Sequence, residues 1–263
     1  MYEFTYHKAG SLDDATKLLG AEEAKLVAGG MTLIPTLKLR LAKPSDLVDL
    51  GSIASLKGIK EEGGGVTIGA MTRHIDVNRS SVVKSVIPGL AALAGMIGDP
   101  AVRNRGTMGG SVANNDPAAD YPAAVVGLGA TVVTTKREIA GDGFFTGMFE
   151  TALGQDEIIT AIKFPKPQAS AYQKFRNPAS RYAIVGVFVA RTAGGVRVAV
   201  TGAGPCVFRV PEMEAALGKS FSADAIKDIA IPEDGLNSDI HASAEYRAHL
   251  VNVMARRAVA ACG

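Results

Sequence analysis

Asp99-Pro100-Ala101-Val102-Arg103-Asn104-Arg105-Gly106-Thr107-Met108-Gly109-Gly110-Ser111-Val112-Ala113-Asn114-Asn115-Asp116-Pro117-Ala118-Ala119-Asp120-Tyr121-Pro122 is the stretch of this 263-residue chain that says most about its fold. At its centre Gly109-Gly110 stands between two hydroxyl residues, Thr107 and Ser111. Glycine lets backbone N–H groups approach a phosphate with no side chain in the way, and it permits the positive φ angles such an approach needs. The same chemistry occurs earlier, in Ala28-Gly29-Gly30-Met31-Thr32. There a short apolar strand, Lys25–Ala28, runs into the glycine pair, and Leu33, Leu37 and Leu41 follow at helical spacing. An anion is favoured at such a strand–turn–helix junction. Both pairs read as lying at a strand end. Two of them suit a dinucleotide whose pyrophosphate is gripped from both sides. A Gly-Gly pair is also an ordinary turn, and spacing alone names no cofactor.

Outward from these stretches the pattern is α+β, without the regular βαβα alternation of a doubly wound sheet. Ser11 and Asp14 form a capping signal for a short helix that Gly20 ends. Leu47–Leu50 is a strand, and Glu61-Glu62-Gly63-Gly64-Gly65 reads as a polar, hinge-like break. Val66–Ile68 resumes a strand, and Val82–Ile97 is helical with an interruption at Pro88-Gly89. Strands follow at 130–135 and 158–164. Pro165-Lys166-Pro167 marks a boundary, giving residues 1–167, with lobes of about 1–57 and 58–167, and residues 168–263. Beyond it Tyr172–Phe175, Ala183–Ala190 and Val196–Thr201 read as antiparallel strands. Glu212–Leu217 and Ala223–Ile229 read as short helices, and Ala244–Ala261 as the longest one. Gly202-Ala203-Gly204-Pro205 begins like a dinucleotide fingerprint but lacks the third glycine, and it reads as a turn.

Composition removes several function classes. With 28 basic and 26 acidic residues the net charge is +2, without the clustered positive charge that nucleic acid or an anionic membrane surface requires. Two cysteines, Cys206 and Cys262, cannot ligate a four-cysteine iron–sulfur cluster or build a disulfide framework. The four histidines form no metal-binding pair, and no nucleophile elbow or acid–base pair stands out. Neither a metal site nor a catalytic residue is expected on this chain. Met1–Tyr6 has no signal-peptide pattern, and the apolar stretch Tyr121–Val133 is too short to span a bilayer. The expected location is the cytoplasm.

The Asp99–Pro122 segment resembles the signature of the FAD-binding subunit of molybdenum hydroxylases, the medium chain of carbon-monoxide-dehydrogenase-type enzymes and the flavin domain of xanthine dehydrogenases. Ala28–Arg40 resembles the family's first flavin loop, and Asp239-Ile240-His241-Ala242-Ser243-Ala244-Glu245-Tyr246-Arg247 resembles the motif that opens its last helices. The resemblance covers nearly the whole chain, with its motifs in the family's order. It implies a two-lobed FAD-binding domain of the vanillyl-alcohol-oxidase (PCMH-like) type and a smaller C-terminal α/β domain. Carried over by position, Ala28, Gly29, Gly30, Met31, Thr32 and Leu33, with Thr107, Gly109, Gly110 and Ser111, would hold the pyrophosphate of FAD. Asn114 and Asp120 would also contact it. Lys174 would sit near the flavin ring, where a cation stabilises negative charge on the reduced form, although a surface lysine remains open as its reading.

The resemblance further implies a large molybdenum-binding partner and a small iron–sulfur partner, assembled as a dimer of heterotrimers. This subunit would pass electrons from the iron–sulfur clusters to an external acceptor such as a quinone, NAD or oxygen. A self-contained flavin oxidoreductase and a non-catalytic nucleotide-binding accessory protein remain alternatives. The substrate of the complex leaves no record in this chain.

Overall fold

In the computed structural model, which describes residues 1–262, the chain builds three main sheets in succession. The first is small and parallel. It contains β1 (Thr5–Lys8), β2 (Lys25–Val27) and β3 (Asp46–Asp49) in the order β1-β3-β2, with α1 (Leu12–Leu19) and α2 (Leu33–Lys38) as the crossovers. Ser11 caps α1 by accepting a hydrogen bond from Asp14 N–H, as its spacing predicts. β1 has no apolar alternation to announce it, because Thr5, Tyr6 and Lys8 are all exposed. It forms only because β3 supplies a parallel partner.

The second sheet has five antiparallel strands in the order β4-β5-β10-β6-β7: β4 (Ile59–Glu62), β5 (Gly65–Gly69), β6 (Thr131–Thr134), β7 (Glu138–Ala140) and β10 (Ile159–Pro165). Between β5 and β6 the chain makes six helices: α3 (His74–Arg79), α4 (Ser81–Val86), α5 (Pro88–Gly95), α6 (Pro100–Arg105), α7 (Met108–Asn114) and α8 (Tyr121–Gly127). A hairpin of β8 (Phe145–Gly147) and β9 (Glu150–Thr151) precedes β10. The largest core lies between this sheet and these helices, around Ile68, Leu90, Leu93, Met108, Tyr121, Phe144 and Phe164. Two sequence expectations are corrected here. Glu61–Gly65 is not a break between units but the turn of the β4–β5 hairpin, with Gly63 and Gly64 at positive φ. The second glycine stretch does not follow a strand: it joins α6 to α7, and Thr107 is the N-cap of α7.

The third sheet is an antiparallel meander, β11 (Ala169–Arg176), β12 (Ala183–Thr192), β13 (Gly195–Thr201) and β14 (Phe208–Arg209). Nearly every residue of β12 is buried, because α10 (Ala244–Ala261) covers one face and the second core reaches the other through Phe188 and Ala190. α9 (Pro211–Lys219) packs on β13. The helix expected over Ala223–Ile229 is a single 3-10 turn, Ala223–Ile226.

Tyr172 on β11 points into the second core and is 2% exposed. Its ring crosses Gly186 on the neighbouring strand, where an added Cβ would overlap the Tyr172 hydroxyl and lie 2.8 Å from its Cζ. Gly186→Ala is therefore expected to cost about 2 kcal/mol or more by overpacking and to lower the thermal midpoint. Gly143→Ala, with nothing within 4 Å of the new methyl, should stay near wild type. Equal midpoints for the two variants would contradict this packing.

Candidate functional site

The two glycine stretches, one following β2 and the other joining α6 to α7, meet backbone to backbone. A Cβ on Gly29 would overlap the carbonyl oxygen of Arg105 and lie 2.7 Å from Gly106 Cα. Gly110 stands opposite Ala28, its ideal Cβ position 3.5 Å from the Ala28 methyl. The remaining contacts explain why the second stretch holds its shape. Thr107 Oγ1 accepts a bond from Gly110 N–H, Gly109 N–H donates to Ala70 O at 2.8 Å, and Met108 N–H donates to Thr72 O at 3.0 Å. A Cβ on Gly109 would lie 2.6 Å from that of Ala70.

The first stretch is built differently. Gly30 takes φ +73. Among the described residues no protein acceptor is found for the backbone N–H groups of Gly29, Gly30, Met31 and Thr32, while Gly30 O and Thr32 O serve Ile34 N–H and Thr36 N–H. A row of free donors at a turn with glycine clearance fits an anionic group such as a pyrophosphate. The second stretch contributes mainly close approach and the Thr107 and Ser111 hydroxyls, since most of its N–H groups are already used. Ser111 and Asn114 lie one turn apart on α7, and Asn114 is half-buried.

A cleft of about 560 Å³ opens from this junction across the first sheet, bounded by Tyr6, Asp49, Lys57, Arg73, Arg105 and Thr107 among others. Tyr6 donates to Asp49 Oδ2 at 2.6 Å, and that bond raises the phenol above its ordinary range. Arg73 pairs with Asp76 and bridges backbone to backbone with Thr107. The basic residues at the mouth favour an anionic ligand. None of these side chains carries a spacing signal that sequence reading could have used.

Asp120 and Lys174, far apart in sequence, form a buried pair, with side chains 4% and 2% exposed. The surface alternative for Lys174 therefore fails. Lys174 Nζ donates to Asp120 Oδ2 at 2.9 Å and to Met96 O at 3.2 Å, which leaves one ammonium proton free. Tyr172 Oη donates to Asp120 Oδ1 at 2.5 Å. Burial raises the Asp120 carboxyl, and the charge of Lys174 with the two hydrogen bonds opposes it. Tyr172 is pushed well above its ordinary range, chiefly by burial, so it remains the donor. Tyr182, on the β11–β12 connection, lies beside Thr32 of the first stretch and faces Asp116. The β11–β12 connection thus comes near the first glycine stretch, which the sequence did not reveal.

Beneath the second stretch lies His74, 4% exposed, with its N–H bonded to Gly106 O and its ring tilted against Tyr121. Burial first, and then the charge of Arg103, lowers its pKa to about 4. Among the described residues no group of three or more His, Cys, Asp or Glu could hold a metal ion, and no helix is long and apolar enough to cross a membrane.

Comparison with known proteins identifies the family. Residues 2–167 match the family described as the FAD binding domain in molybdopterin dehydrogenase, and residues 170–262 match the CO dehydrogenase flavoprotein C-terminal domain. The chain is 36% identical to the carbon monoxide dehydrogenase medium chain of Hydrogenophaga pseudoflava, over 97% of this chain and 96% of that one. It is 36% identical to the nicotine 6-hydroxylase medium subunit of Paenarthrobacter nicotinovorans, over 98% and 96%. Among solved structures, the carbon monoxide dehydrogenase of Hydrogenophaga pseudoflava lacking the Mo-pyranopterin moiety superposes with a TM-score of 0.90 at 37% identity, covering 99% of this chain and 97% of that one.

The buried His74 makes a pH prediction. Its pKa falls from 6.5 when unfolded to about 4 when folded. Its stability contribution is therefore intact above about 6.5 and declines as the pH drops toward 4, as the unfolded chain takes up a proton that the folded chain refuses. By linkage the loss reaches about 2 kcal/mol at pH 5. Chemical denaturation at pH 7 and pH 5 should show a larger loss for wild type than for His74→Gln. Parallel losses would contradict the neutral buried imidazole.

Proposed function

Because the chain belongs to the family of FAD-binding medium subunits of molybdopterin-dependent dehydrogenases, we propose that it is the electron relay of such a complex. In this reading electrons arrive from iron–sulfur clusters on a small partner, which receives them from a large molybdenum-binding partner, and leave to a quinone, NAD or oxygen. The assembly is a dimer of heterotrimers in the cytoplasm. FAD, when bound, supplies the ability to take up electrons singly or in pairs and to pass them on.

The chain's own residues hold the cofactor. The observation that carries this reading is the junction of the two glycine stretches, with its row of unused N–H donors. Gly29, Gly30, Met31 and Thr32 donate backbone N–H bonds to the pyrophosphate, with Ala28 and Leu33 shaping the turn. Thr107 and Ser111 offer hydroxyls, while Gly109 and Gly110 keep the facing surface free of side chains. Asn114 is the polar group one turn further along α7. Asp120 fixes Lys174, whose remaining proton is available to an electron-rich edge of the flavin.

Gly29→Ala is expected to wedge the two loops apart. The complex purified from its native host with this substitution should carry well under the wild-type flavin content, read from its absorption spectrum. Gly10→Ala, whose methyl meets nothing within 4 Å, should carry the wild-type amount. Both complexes should be reducible by dithionite at their iron–sulfur centres. On mixing with quinone, NAD or oxygen, the wild type should reoxidise quickly with its acceptor and the flavin-poor complex slowly. Full flavin in Gly29→Ala would sink the binding assignment, and equal reoxidation rates would sink the relay.

A further inference from the structure

The motif Asp239–Arg247, which resemblance marks but no cofactor contact uses, ends on a buried arginine. Arg247 lies in the first turn of α10 and is 4% exposed. Its Nη1 donates to Ile184 O at 2.7 Å and to Gly202 O at 2.9 Å, and its Nη2 donates to Asp239 Oδ2 at 2.7 Å. A buried guanidinium is costly unless its donors are matched; here Nε is left without a partner, but the two Nη atoms tie together the ends of β12 and β13.

Those strand ends hold the segment that follows the second glycine stretch. Gly202 N–H donates to Pro117 O at 2.8 Å. The Thr201 hydroxyl, fully buried, donates to Ala119 O at 2.6 Å and lies 3.1 Å from Pro117 O. Gly202 is at φ +83, where a Cβ would lie 2.6 Å from Ala183 O and 2.8 Å from Ile184 O. One glycine therefore faces the segment with its N–H and Arg247 with its carbonyl. Immediately beyond Ala119 stands Asp120, the partner of Lys174 and Tyr172.

We propose that Arg247 is a positioning residue of the flavin site: through Gly202 and Thr201 it fixes Pro117–Ala119, and with them the placement of Asp120 and Lys174. This rests on the reading of the glycine junction and the Asp120–Lys174 pair as the FAD site. Arginine is required for its planar, multidentate fork; a lysine ammonium cannot reach two carbonyls and a carboxylate with the same geometry.

The test compares the native complex with variants carrying Arg247→Met, Arg247→Lys, Thr201→Val and Asn252→Ala. Asn252 is a control on the same helix: it clamps Ile226 O and Ile229 O, away from the segment. The readouts are the rate of FAD release, followed by the fluorescence of freed flavin, the visible circular dichroism of bound flavin, and the thermal midpoint. Arg247→Met and Thr201→Val should release FAD about tenfold faster than wild type, the scale of one lost buried hydrogen bond, with an altered flavin dichroism. Arg247→Lys should recover only part of the difference. Asn252→Ala should lower the thermal midpoint and leave release and dichroism at wild type. Equal release from Arg247→Met and Asn252→Ala, or wild-type release from Arg247→Met, overturns the proposal. If Arg247→Met does not assemble, wild-type release from Thr201→Val overturns it. A wild-type complex devoid of flavin overturns the cofactor reading itself, and the proposal with it.

Discussion

The constraint on which the candidate site depends is the contact between the backbone at Gly29 and the backbone at Arg105–Gly106. It permits no side chain, and it forces the parallel first sheet against the helical layer of the second. The rest of the site follows from it. The first turn arrives with its N–H groups unused because nothing in the first sheet needs them. The second arrives with its N–H groups committed, because Ala70, Thr72 and Thr107 must hold it still. One side of the junction therefore offers donors while the other offers a rigid wall, a division of labour that a pair of identical loops would not give.

The same logic extends into the third sheet. Asp116–Asp120 leaves α7 and is stitched to the β12 and β13 ends by carbonyl hydrogen bonds, then closed by the buried Asp120–Lys174 pair. Breaking a buried pair by removing one partner leaves an uncompensated charge, commonly a loss of about 3–5 kcal/mol. The contact thus fixes how the strand β11 meets the helices α5 and α8. Placing a charged pair, rather than apolar residues, at that seam leaves one proton of Lys174 without a protein acceptor.

Much of this was legible in the sequence, for identifiable reasons. The glycine pairs, Ser11 at the start of α1, the apolar strands of the third sheet and the long α10 all carry local signals: turn chemistry, capping and periodicity. What stayed hidden depends on partners distant in sequence. β1 has no pattern of its own and exists by pairing with β3. The second glycine stretch has the composition of a strand-end turn, but Asp99 caps α6 and Thr107 caps α7, so helices flank it instead. Glu61–Gly65 is as polar as a linker because it is the tip of a hairpin. Asp120 and Lys174 were marked only by resemblance, and no spacing rule could have paired them. His74 and Tyr182 act through burial and leave no motif, while Arg247 was marked only by the resemblance of Asp239–Arg247, with nothing local to show which carbonyls it binds.

The central claim is that the junction of the two glycine turns is where the pyrophosphate sits, and the structure of the FAD-loaded complex tests it directly. The predicted result places phosphate oxygens about 2.7–3.2 Å from backbone nitrogens within Gly29–Thr32, with the Thr107 and Ser111 hydroxyls on the facing side. A pyrophosphate held instead by arginine and lysine side chains elsewhere in the cleft, with those N–H groups facing water, would contradict it.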